Sequence, residues 1–273
     1  MAYKIGFTAE HPEKTPSVSA CPVPQQEVVP RKSVVQVYFA DRNMTLAYYN
    51  DRFDLHTGDV VYVDGKLEGK RGRVTEVNYN FKIKVSEYKR VIAVADTSVY
   101  GRFFLAGSHF VTFDRAVLPM EKAVTWFKAP IKEEDEFVNG SDDTSFPLED
   151  IRGMKVSSAV AERGRSYYLD NKVQYISVDG TKGHAIVEGS ESYEVEFEYT
   201  HGDISGLVCS CFCSGNCKHE VAAMLQLKET LELIEKQYAD EYERTGYFAA
   251  VNKGTLFAFA LDGKKTGSLL FEL

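Results

Sequence analysis

Four of the five cysteines in this 273-residue chain, Cys209, Cys211, Cys213 and Cys217, fall within nine positions, and His219 stands two residues beyond the last of them. Thiolate and imidazole are the donors that a structural zinc ion takes, four at a time, in a closed tetrahedron. A disulfide framework spreads its cysteines to close loops, so a tight cluster in a chain that opens without a long apolar leader points to metal instead. In an extended segment Cys209 and Cys211 project from one face. Ser214-Gly215-Asn216 then supplies a turn, and Cys217 and His219 straddle the start of a helix. Cys213 lies on the same strand face, which makes Cys211, Cys213, Cys217 and His219 a second ligand set. Its three-residue gap strains the turn, so Cys209 is preferred. Cys21, alone near the N-terminus, reads as an incidental thiol.

A second group of residues suits a different chemistry. Lys66, Lys70, Arg71, Arg73, Lys82, Lys84, Lys89 and Arg90 face only Glu68, Glu76 and Glu87 within residues 66–90, and Tyr79, Phe81 and Tyr88 lie among them. Cations for phosphates and aromatic rings for bases are what a nucleic-acid surface needs; a solvated sheet face with its own core aromatics is the plainer reading. The formal charge of −8 does not argue against an anionic partner, because it is unevenly spread. Residues 1–130 carry 18 Lys/Arg against 14 Asp/Glu, whereas residues 131–150 carry one against eight.

The elements that must position these groups read as α+β and mostly β. Residues 1–32, with five prolines, suggest a flexible arm. Residues 33–128 show short alternating runs separated by glycine-bearing turns (33–39, 45–49, 59–63, 72–79, 82–88 and 91–94), which predict a small β-barrel or a strongly bent sheet; residues 103–113 and 123–128 would add strands or form a segment leading away from it. Residues 129–150 form an acidic linker. In residues 151–240 a short helix over 151–162, broken off by Arg163-Gly164-Arg165, precedes strands at 166–169, 173–179, 184–188, 193–199 and 207–213. From Lys218 the period changes to that of a helix, with Val221, Met224, Leu225, Leu231, Ile234 and Tyr238 on one stripe. Residues 241–273 predict a C-terminal hairpin or three-strand meander.

The stretch Cys209-Ser210-Cys211, five residues, Cys217-Lys218-His219, then a helix bearing Ala222-Ala223 resembles the SWIM zinc finger. The likeness extends upstream, where Gly164 precedes Tyr167-Tyr168 and Val187 to Tyr193 follows a Val-x-Gly-Ser-x-x-Tyr pattern, as in bacterial SWIM proteins. It covers residues 151–237. The resemblance implies one zinc ion held by Cys209, Cys211, Cys217 and His219 in a ββα zinc domain, and binding to DNA or to protein. Such modules often stand before a Swi/Snf-type helicase engine. The glycine and valine pattern of residues 35–74 is loosely similar to small barrels at the front of primosomal helicases.

No window has the length of apolar sequence a membrane helix needs, and the expected setting is cytoplasmic. Gly263-Lys264-Lys265-Thr266 lacks the adjacency of a phosphate loop, and no nucleophile elbow occurs. His11, His56, His109, His184 and His201 are scattered without ligand spacing and read as surface or core histidines. The expectation is therefore a non-enzymatic, zinc-containing, nucleic-acid-binding accessory protein with DNA favoured. The rival is an adaptor that docks a helicase, recombinase or nuclease.

Overall fold

The computed structural model describes residues 2–7, 30–130, 145–211, 213, 215–261 and 267–272, and the protein is α+β with strands predominant. Ten strands form one sheet in the order Ala2–Phe7, Gly267–Glu272, Tyr100–Ala106, His109–Thr112, Tyr247–Asn252, Val173–Asp179, Lys182–Glu188, Ser192–Thr200, Asp203–Cys209, Phe146–Pro147. Neighbours are antiparallel except Gly267–Glu272, which runs parallel to Tyr100–Ala106. Five more strands form a second sheet, ordered Met44–Asn50, Ser33–Phe39, Arg71–Asn78, Val60–Val63, Val91–Ala95.

The central strands of the large sheet are covered on both faces, which is why they read as apolar runs and not as clean alternation. On one face Ile176, Ala185, Val187 and Val195 meet Val221, Ala222 and Met224 of a long helix. On the other, Tyr175, Ile186, Tyr247 and Ala249 meet Trp126, Phe259 and the outward side chains Val60 and Tyr62 of the small sheet. Val61 and Val63, alternating with these, fill the small sheet's own core with Val35, Val37, Phe39 and Val74. The helices named below are α1 (Met120–Thr125), α2 (Ser158–Leu169) and α3 (Lys218–Gln237); shorter ones lie at Ala239–Thr245 and Lys253–Leu256.

Several expectations are corrected. The small sheet is not a closed barrel: its hydrogen-bonded ladder is open, and an isolated bridge between Tyr49 and Arg90, just before the other edge strand, includes the Tyr49 N–H donating to the Lys89 carbonyl at 2.8 Å. Of the two readings of residues 103–113, the second holds: the strands Tyr100–Ala106 and His109–Thr112 lead away from the small sheet and belong to the large one. Residues 82–88 are a loop with a short 3-10 turn at Val85–Glu87, and the expected strand at 123–128 is α1. The C-terminal segment is no hairpin, because residues 253–261 are helical and the last strand pairs with Ala2–Phe7 and Tyr100–Ala106. Residues 2–7 of the expected arm are thus an edge strand; residues 8–29 of the arm, with Cys21, residues 131–144 of the acidic linker and residues 262–266 lie outside the described residues.

The expected break at Arg163-Gly164-Arg165 is instead the interior of α2, which runs on through Tyr167 and Tyr168. A helical glycine costs about 1 kcal/mol relative to alanine. Here the cost has a packing reason: a Cβ on Gly164 would lie 2.4 Å from Val221 Cβ and 3.0 Å from the Lys218 carbonyl, on the helix whose start carries Cys217 and His219. Gly164→Ala therefore sets a propensity gain against overpacking worth about 1–3 kcal/mol. The expected outcome is a lower melting temperature; an unchanged or raised one would show that α2 can shift freely.

His109 is fully buried in the large sheet. Its Nε2–H donates to the Val173 carbonyl at 2.8 Å, and Ser108 Oγ lies 2.9 Å from Nδ1. Burial, with Lys253 nearby, holds its pKa down to about 4. The unfolded chain protonates near pH 6.5 and the folded one does not, so this stability is present above pH 6.5 and lost as pH falls toward 4. The loss amounts to about 3 kcal/mol. Denaturant unfolding of His109→Gln across this range should show a flatter decline than the parent; parallel curves would rule the residue out as the cause.

Candidate metal centre

Cys209 ends the strand Asp203–Cys209, and its orientation depends on a bulge. Ile204 and Cys209 are five residues apart, an odd spacing that would place them on opposite faces, yet both are buried against the α3 side. The ladder with Ser192–Thr200 shifts register between Glu196 and Glu198, and Gly206 opposite the shift has φ 59. Only glycine adopts that conformation without cost, and the inserted residue turns Leu207, Cys209 and Cys211 to the helix side.

Cys217 and His219 come from the start of α3. Cys217 is the N-cap residue: its sulfur accepts from the helix, and its N–H donates to Glu220 Oε2 at 2.7 Å in a reciprocal capping box. The approach to the helix is anchored by Asn216, whose amide donates to the Met154 carbonyl. His219 is clamped by aromatic rings, stacked on Tyr193 at 4.2 Å and edge-on to Tyr167 at 5.5 Å. Its Nε2 is buried without a hydrogen-bond partner, while Nδ1 faces the sulfurs.

One ligand atom from each of Cys209, Cys211, Cys217 and His219 lies within 4.8 Å of the others. Cys217 Sγ is 3.6 Å and Cys209 Sγ 3.7 Å from His219 Nδ1. For a tetrahedral zinc ion with ordinary Zn–S and Zn–N bonds, the sulfur–nitrogen edge is about 3.6 Å. The four residues fit such an ion. Cys213 is exposed and outside this group, so the structure brings together the set containing Cys209 and not the alternative containing Cys213.

The electrostatics of the cluster favour a cation. A hydrogen bond from the Cys209 thiol, with others from His219, the Glu220 N–H and Cys211, brings the Cys217 thiol down to about 4 against the effect of burial. Cys211 is pushed up to about 12, chiefly by burial, and Cys209 is pushed up by its hydrogen bond to Cys217 and by burial. The three sulfurs are close enough that ionising one opposes ionising its neighbours. A dication is what allows all three to ionise, with release of the remaining protons.

The basic residues of the small sheet divide into two groups. Arg71 donates to the Trp126 carbonyl at 3.1 Å and lies over Phe127 and Phe259; Arg73 donates to the carbonyls of Gly58 and Ala258. Both tie the small sheet to the rest of the molecule. Arg90 pairs with Asp51 over Tyr49, and Lys84 pairs with Glu87. Lys66, Lys70, Lys82 and Lys89 are exposed, as is Tyr79, over which the Arg31 guanidinium sits at 4.5 Å.

One grouping escaped the sequence reading. His184, Glu194 and Glu196 converge, each offering a ligand atom within 4.8 Å of the others. The signal lay in the strand register, which no spacing along the chain reveals. Among the described residues no helix is long and apolar enough to cross a membrane. No protein-family model, curated protein or solved structure matches this chain.

Proposed function

We propose that this chain is a zinc-stabilised, nucleic-acid-binding accessory protein of the cytoplasm, without catalytic activity of its own and with DNA as its preferred partner. The observation that carries this reading is the set of exposed cations on the small sheet, Lys66, Lys70 and Lys89 together with Lys82 and the exposed ring of Tyr79 past the far end of the strand Arg71–Asn78, on a sheet that Arg71 and Arg73 tie to the body of the protein. Lysines on a rigid platform contact phosphates, and an exposed ring offers a stacking face. The SWIM-like pattern of Cys209, Cys211, Cys217 and His219 supports a zinc-finger role in which the metal holds α3 against the strand Asp203–Cys209 and performs no chemistry.

The adaptor reading is favoured by the outer face of α3, where Glu232 and Glu235 are exposed and would repel a phosphate backbone. In that reading the metal unit docks a helicase, recombinase or nuclease. A mobility-shift panel of single- and double-stranded DNA and RNA, at several salt concentrations, separates the two. Nucleic-acid binding predicts retardation that weakens steeply with ionic strength, strongest for DNA, and independent of chelator if the small sheet carries it. No retardation of any nucleic acid at low salt would reject this reading in favour of the adaptor.

A further inference from the structure

His184 lies on the strand Lys182–Glu188 directly opposite Glu196 of the strand Ser192–Thr200. Glu194, two residues earlier on the same strand, shares the face of Glu196. This is the face of the large sheet turned away from α3 and from the cysteine cluster. His184 is 6% exposed, and its Nε2 is buried with no hydrogen-bond partner. A buried nitrogen left unpaired costs about 1–3 kcal/mol, so its environment calls for an explanation. The nearest carboxylate oxygen, Glu194 Oε2, is 3.7 Å away. That is too long for a hydrogen bond. It is close to the nitrogen–oxygen edge of a metal coordination shell, about 3.4 Å when both bonds are near 2.1 Å.

We propose that His184, Glu194 and Glu196 form a second metal site, distinct from the cysteine cluster, for a borderline divalent cation such as Zn²⁺ or Co²⁺. One imidazole and two carboxylates match the preferences of such ions and not those of a soft, thiolate-seeking metal. The other oxygen of Glu194 is held by Lys128 Nζ at 2.6 Å, which orients the carboxylate and leaves Oε2 turned to His184. Charged groups facing His184 are Glu194, Glu196, Glu121 and Lys128, an excess of negative charge that a dication neutralises.

The site is open on one side. His184 and Glu196 line a cavity of about 640 Å³ that is also bounded by Met120, Glu121, Ser177 and Tyr247. Three protein ligands beside a cavity leave coordination positions for water or a small anionic ligand, unlike the closed cysteine site.

The test is titration of Co²⁺ into the full-length protein already carrying one equivalent of zinc, read by calorimetry and visible absorption. One further equivalent should bind, with d–d bands but without the near-ultraviolet charge transfer that thiolate coordination would add. Glu196→Gln changes an exposed side chain and should leave thermal unfolding without cobalt unaltered while weakening cobalt binding about tenfold or more. His184→Gln should abolish it. The proposal is overturned if the parent binds no second equivalent at millimolar Co²⁺, if thiolate charge transfer accompanies it, or if Glu196→Gln and His184→Gln bind like the parent.

Discussion

Cys217→Ser is expected to strip the protein of the zinc that otherwise survives exhaustive dialysis against a mild chelator, from one per chain to near zero. Hydrogen bonds from Cys209, His219, the Glu220 N–H and Cys211 favour Cys217 as a thiolate, and its sulfur sits 3.6 Å from His219 Nδ1. Serine is among the best N-cap residues, so the substitution preserves the capping of α3 and isolates the metal as the variable. Structural zinc of this type contributes on the order of 10–16 kcal/mol at neutral pH, as much as the whole stability of an ordinary domain. The expected readout is loss of the cooperative unfolding transition of the parent, with α3 released from the sheet. Cys213→Ser, altering an exposed thiol outside the cluster, should keep both the zinc and the transition. Full zinc retention by the Cys217 variant, or its loss in the Cys213 variant, would refute the ligand assignment.

Joint reversal of Lys66, Lys70, Lys82 and Lys89 to glutamate is expected to abolish most of the nucleic-acid affinity while leaving the fold intact. Each phosphate contact contributes about 0.9 to the slope of log affinity against log salt, so losing four flattens that slope by about 3.6. Repulsion by the new carboxylates adds to the loss, and at moderate salt the affinity should fall by about a hundredfold or more. All four lysines are exposed, so circular dichroism and melting temperature should stay near those of the parent. Arg71 and Arg73 are left untouched for a structural reason. Their guanidinium groups bind the carbonyls of Trp126, Gly58 and Ala258, and reversing them would loosen the small sheet itself. Unchanged binding by the fourfold variant would place any nucleic-acid surface elsewhere and favour the adaptor.

Where a local pattern was enough, the sequence located the element. Val173–Asp179 has the predicted bounds, Ser33–Phe39 likewise, and the change of period at Lys218 marks the start of α3. Within α3 the predicted stripe is buried at Val221, Met224 and Ile234, but Leu227 is fully buried as well and Gln226 and Thr230 are buried and hydrogen-bonded to each other. The stripe is wider than the periodicity suggests because α2 crosses α3 and adds a second covered side. Gly164 misled for the same reason. Read alone it is a break; in the structure it is the contact point between two helices.

The cysteine and histidine ligands were legible because all four lie within eleven residues, and zinc chemistry constrains both donor type and spacing. What the amino-acid sequence determined by itself is therefore the grouping of Cys209, Cys211, Cys217 and His219, the helix that completes it, the strands with simple alternation and the cationic character of residues 66–90. Only the tertiary structure decided the rest. It decided that the small sheet stays open, that the last strand runs parallel to Tyr100–Ala106, that two of the arginines are internal ties, and that His184 meets Glu194 and Glu196. The physical reason is common to all four. Period and propensity are properties of neighbours along the chain, whereas an edge's partner, a side chain's acceptor and a strand's register are chosen by groups tens to hundreds of residues away.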